Sequence, residues 1–123
     1  MSDFAEQFED LRIWQQARRQ AGEVYRDFGG ESSAARDFGF RDQIQRAAVS
    51  VMNNIAEGFE RHSPKEFAHL LGVAKGSCGE VRSMLYLAED LHYISPELAI
   101  ERREQALGLS RGIEALTKKL RAS

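Results

Sequence analysis

Two Glu-x-x-His pairs, Glu66–His69 and Glu89–His92, carry the residue types that hold metal pairs in helical bundles. In those bundles the pairs sit on different helices and converge with further glutamates. Here both fall on one predicted helix, about 23 residues apart, or roughly 35 Å along its axis at a rise of 1.5 Å per residue. One chain cannot bring them to one metal, so they read as surface or cap histidines and no metal or cofactor is expected. Cys78 has the chemistry of a nucleophile but lies within an apolar seam, with no basic partner at an evident spacing, and reads as core. Lys75-Gly76-Ser77 has the wrong order for a phosphate loop, and no strand precedes it. No set of groups converges on a reaction, and no enzyme is expected.

The remaining polar residues support binding or architecture. Asn54, Glu57, Ser77 and Glu80 could hold a small ligand or a peptide. They could instead form a buried hydrogen-bond network that sets the register between two helices. The structural reading is preferred, and it predicts that Glu57→Ala destabilises the fold or the assembly. Arg12, Arg19 and Arg26 recur every seven residues and line up beside an apolar helix face, with Glu23 among them. Such flanking positions commonly form salt bridges between helices or subunits. Near the C-terminus Arg111, Lys118, Lys119 and Arg121 face only Glu114, and a helix dipole favours cations there. Those seven residues are the candidate contacts to RNA or to a protein partner.

The totals bound what these groups can do. A chain of 123 residues makes one domain that buries roughly two thirds of its unfolded surface. Net charge is −2 and the isoelectric point is about 5.9, whereas a protein that grips nucleic acid through its overall field is usually basic. Positive charge resides in 13 arginines against four lysines, a bias that suits bidentate contacts to carboxylate or phosphate. A single cysteine excludes an internal disulfide and fits a reducing cytosol. No apolar run approaches the ~20 residues that span a bilayer, and the N-terminus MSDFAEQFED has no signal core, so a cytoplasmic protein is expected.

Periodicity places these residues on four helices. Residues 1–9 read as an acidic arm docked through Phe4 or Phe8, and 10–123 as the single bundle domain. Leu11, Trp14, Ala17, Ala21, Val24, Tyr25 and Phe28 trace the first helix, which stops at Gly29-Gly30. A polar loop follows, and a second helix runs from near Phe40 to Arg61, its apolar face formed by Ala48, Val51, Met52, Ile55 and Phe59. Beside that face runs a polar and small stripe of Gln43, Ala47, Ser50, Asn54, Glu57 and Arg61. Ser63-Pro64-Lys65-Glu66 starts the third helix with a cap, a proline at its first position and a capping-box acid. Its seam is Phe67, Leu71, Ala74, Cys78, Val81, Leu85 and Ala88, to about His92. His69, Gly72, Gly76, Gly79 and Ser83 lie on a neighbouring face. The three glycines there cost ~0.8–1 kcal/mol each relative to alanine, which predicts that the second helix's polar stripe or another subunit packs into the groove. Ser95-Pro96-Glu97 starts the fourth helix, with Ala106, Leu109, Ile113, Leu116 and Leu120 as its seam. Short connections give an all-α, antiparallel up-down-up-down four-helix bundle, and the aromatic and glycine placement predicts an oligomer.

Several of these residues form a recognisable pattern: Leu11-x-x-Trp14-x-x-Ala17, then Gln45-Arg46-Ala47-Ala48-x-Ser50-x-x-Asn53-Asn54-Ile55-Ala56-Glu57-Gly58-x-x-Arg61, then Glu66 and Ala74-x-Gly76-Ser77-x-x-Glu80. It resembles the four-helix-bundle proteins encoded in 23S rRNA intervening sequences, over about residues 8–120. The resemblance implies a cytosolic bacterial protein that assembles into a homopentameric ring, and it brings no catalytic residues. It also implies kinship with the accessory protein of diversity-generating retroelements, which binds nucleic acid through a basic surface. Two functions therefore compete: an oligomeric bundle that contacts RNA or a ribonucleoprotein, and a protein-interaction scaffold without a nucleic-acid role, which the acidic balance favours.

Overall fold

The computed structural model describes residues 5–122, so Phe4, one of the two anchors expected for the N-terminal arm, lies outside the described residues. A single 3-10 turn, Phe8–Asp10, leads into α1 (Arg12–Phe28), followed by α2 (Phe38–Glu60), α3 (Pro64–Asp90) and α4 (Pro96–Ala122). Each helix packs on its two neighbours in a ring, α1 on α2, α2 on α3, α3 on α4 and α4 back on α1, with the last contact the sparsest. Short turns reverse the chain each time, which gives the antiparallel bundle that the periodicity predicts. No described helix is long and apolar enough to cross a membrane.

Caps decide where the helices begin. Ser63 accepts a hydrogen bond from the Glu66 amide at 3.3 Å, and Pro64 occupies the first helical position. The Glu66 carboxylate does not close the predicted capping box; it turns to Arg61 instead. Ser95 caps α4 through the Leu98 amide at 3.1 Å. The start of α2 comes two residues earlier than the apolar pattern suggests, because Asp37 caps the Phe40 amide at 3.2 Å. Gly29 ends α1 where only glycine fits, since a Cβ would lie 2.6 Å from the Tyr25 carbonyl oxygen.

The core forms two clusters stacked along the bundle axis. One gathers Val24, Phe28, Phe40, Ile44, Val81 and Leu85; the other gathers Ile13, Val51, Ile55, Leu71, Leu109 and Ile113. The predicted seams of α3 and α4 face the core, fully buried except for Phe67, Leu116 and Leu120, which are half-buried against it. On α1 the buried series includes Ile13 and Gln20, whereas Tyr25, predicted to face inward, stands exposed.

Phe28, Phe40 and Tyr93 stack edge to face and close the end of the bundle where α1 finishes. There the Tyr93 hydroxyl donates to Asp37 at 2.6 Å, joining the α1–α2 loop to the α3–α4 turn. That bond, then the Phe40 amide, holds the Asp37 carboxyl below its ordinary value of 3.8. The stabilisation this brings is complete above the unfolded-state value and disappears as pH falls through the lower folded-state one. Tyr93→Phe is expected to lower the melting temperature at neutral pH and to flatten its decline below about pH 4, as thermal unfolding across acid pH would show.

Candidate functional site

Close approach between helices occurs at Gly58 and Gly112. A Cβ on Gly58 would come within 2.8 Å of the Phe67 ring, so α3 packs onto α2 there. A Cβ on Gly112 would come within 2.9 Å of Ile13, so α1 packs onto α4. Gly72, Gly76 and Gly79 behave differently. All three are exposed, and a Cβ added to any of them meets nothing within 4 Å. The expectation that the polar stripe of α2 fills this groove is therefore wrong. That stripe packs along another side of α3, and the glycine face looks outward with His69 and Ser83, both exposed. Val73 and Leu87 also stand exposed on the same helix.

The polar cluster is a ladder at the α2–α3 seam and not a buried network. Ser50 and Ser77 share a hydrogen bond of 2.8 Å, and Asn54 donates to the Ser50 hydroxyl at 3.0 Å and to its carbonyl at 2.9 Å. Gln43 donates to Glu80 further along the seam. Asn54 and Ser77 are half-buried, but the Glu57 side chain is 53% exposed and pairs with Arg61, which also binds Glu66. Exposed pairs of this kind add little stability, so the strong destabilisation expected of Glu57→Ala does not follow. The groups in the ladder engage one another, and none is left aimed at a ligand.

The arginines also pair differently from expectation. Glu23 does not offset the row of Arg12, Arg19 and Arg26. It turns to Arg102 of α4 at 2.9 Å, and Arg102 also grips Asp27 through Nε at 2.8 Å. This is the main ion-pair tie between α1 and α4. Among the described residues, Arg12, Arg19 and Arg111 have no carboxylate within ion-pair distance. Arg26 lies over Gly22, where its guanidinium would meet an added Cβ at 3.3 Å.

Antiparallel order brings six of the seven candidate cations to one end of the bundle. Arg12 and Arg19 lie on the first half of α1, and Arg111, Lys118, Lys119 and Arg121 on the last half of α4. Arg26 lies towards the other end. At the shared end five of the six line separate shallow depressions: Arg12 and Arg19 line one, Arg111 and Lys118 a second with Lys75, and Arg121 a third with Lys65 and His69. The half of the bundle formed by residues 5–19, 49–77 and 109–122 carries ten Lys and Arg against seven Asp and Glu. The opposite half carries seven against eleven, so a mildly acidic chain has one basic end. Lys75 bonds Glu114 at 3.1 Å and holds its carboxyl below the ordinary range, which keeps the lone acid of the α4 terminus charged.

The other groups with chemical potential are engaged structurally. Cys78 is buried, burial raises its thiol above the ordinary value, and its sulfur donates to the Ala106 carbonyl at 3.3 Å. Glu89 binds Arg103 at 2.7 Å, and His69 and His92 are exposed. His92 and His62 end α3 and α2 with positive φ angles of 60° and 54°, the left-handed stop usually given to glycine.

A family model described as 23S rRNA-intervening sequence protein matches residues 9–115. The chain belongs to that family. A crystal structure from Bacteroides thetaiotaomicron, titled as a protein of unknown function from the S23 ribosomal protein family, superposes with a TM-score of 0.79. It shares 19% identity over 86% of this chain and 95% of that one, which bears on the fold alone. Among curated proteins none matches the sequence.

In an isolated protomer the α3 glycines are a plain helix-propensity cost. Gly76→Ala should therefore raise the unfolding free energy of the dissociated chain by ~0.8–1 kcal/mol, measured by urea denaturation at high dilution.

Proposed function

We propose that this protein is a non-enzymatic bundle that self-associates in the cytoplasm and contacts RNA or a ribonucleoprotein through its basic end. The segregation of charge carries this reading. The acidic total of −2 conceals an end rich in arginine and lysine, where Arg12, Arg19 and Arg111 have no carboxylate partner among the described residues. Phosphate recognition needs free, forked donors of this kind.

Self-association draws on the outward glycine face of α3. Small residues there let a second backbone approach closely, with Val73 and Leu87 beside them. A ring of five is the size that the sequence resemblance implies. Assembly would multiply the basic end and, if the copies lie side by side, set those ends on one surface.

The second reading, a scaffold for protein partners alone, draws on the opposite end. That end is net acidic and exposes Phe38, Tyr86 and Ile100. RNA titrations separate the two. Fluorescence anisotropy with short single-stranded RNA should show an affinity that falls with salt, by ~0.7 log unit per log unit of salt for each phosphate contact. Reversing charge at Arg111 and Lys118 should weaken binding on the order of tenfold and reduce that slope, while Arg26→Glu leaves both nearly unchanged. Absence of binding at low salt would remove RNA from the reading and leave the scaffold.

A further inference from the structure

Among the described residues two polar side chains are buried in the bundle, and they differ in how they are satisfied. Thr117 donates to the Ile113 carbonyl one turn back in its own helix at 2.8 Å. Gln20 of α1 is only 9% exposed, and its Oε1 has no hydrogen-bond partner among the described residues. Its Nε2 reaches the Cys78 sulfur at 4.0 Å, a weak contact. A buried amide oxygen without a donor is costly, and folded proteins rarely leave one so.

Gln20 lines a small cavity of about 10 Å³ in the α1–α4 seam. Glu23, Asp27, Arg102 and Gln105 form the polar wall of this cavity with Gln20, and Val24, Val81 and Leu85 form the rest. Arg102 pairs with both Glu23 and Asp27, so the wall holds one guanidinium against two carboxylates, each of them engaged in an ion pair. Gln105 Oε1 accepts from Arg102 at 3.4 Å, which leaves its Nε2 as an available donor. The space suits one water molecule and nothing larger, and the wall offers the two to four polar partners that a buried water requires.

We propose that this cavity binds one ordered water, which donates to Gln20 Oε1 and to the free carboxylate oxygen of Glu23 and accepts from Gln105 Nε2. The water closes a hydrogen-bonded belt around the middle of the bundle. The belt runs from the Ala106 carbonyl through Cys78 to Gln20, and then through the water to Glu23 and Arg102. It lies between the two apolar clusters and ties α1 to α4, where direct packing is sparsest.

A crystal structure of the wild-type protein at a resolution that shows ordered solvent tests the site directly. The expected result is a water peak within ~3.2 Å of Gln20 Oε1 and of at least one further polar group. In solution, water-proton or ¹⁷O relaxation dispersion should detect one long-lived water that is lost in Gln20→Met, a variant of similar volume without the acceptor. A dry cavity, or a Gln20 amide turned so that Oε1 takes a protein donor, would overturn the proposal. If Gln20→Met fails to fold, the wild-type density alone decides.

Discussion

Three glycines on the outer face of α3 cost helix stability that nothing within the protomer offsets. At ~0.8–1 kcal/mol each relative to alanine the penalty is a noticeable fraction of a small domain's total stability. Glycine in a helix earns its place where backbones meet, and within this chain the meeting points are elsewhere, at Gly58 against Phe67 and at Gly112 against Ile13. Gly72, Gly76 and Gly79 share a face with open space above them. The self-association proposed above would lay a second backbone, from another copy of the chain, on this face.

The same antiparallel order governs the electrostatics. Helices that reverse direction at each turn place the start of α1 beside the finish of α4, so two cation-bearing segments far apart in sequence share one end. Acids collect at the other end with Asp90, Glu97 and Glu104 around the α3–α4 turn. Net charge averages these ends and so understates the capacity of one of them for anions. The ion pairs of Arg102 with Glu23 and Asp27 show the opposite use of charge, half-buried and paired, as a clasp for the α1–α4 seam.

Much of the architecture was legible from spacing. Seams at alternating steps of three and four on α3 and α4 become core-facing stripes, and the Ser-Pro-x-Glu and Ser-Pro-Glu starts become capped helices. What spacing does not reveal is which neighbour a second stripe faces. Gln43, Ser50 and Asn54 and the glycines of α3 each lie beside an apolar face. The polar ladder meets α3 at Ser77 and Glu80, and the glycines turn away. The burial of Gln20 and the pairing of Arg102 with Asp27, 75 positions earlier, depend on tertiary contacts that no local pattern encodes. Gly58 was visible within the Asn54-Ile55-Ala56-Glu57-Gly58 segment. Only the approach of the Phe67 ring explains why it must be glycine.

The claim that the α3 face is covered by another copy is tested most directly by the molar mass of the wild-type protein in solution. Sedimentation equilibrium across micromolar concentrations should return a defined multiple of 13.9 kDa. A mass that stays at 13.9 kDa at every concentration would leave the three glycines facing water and contradict the account.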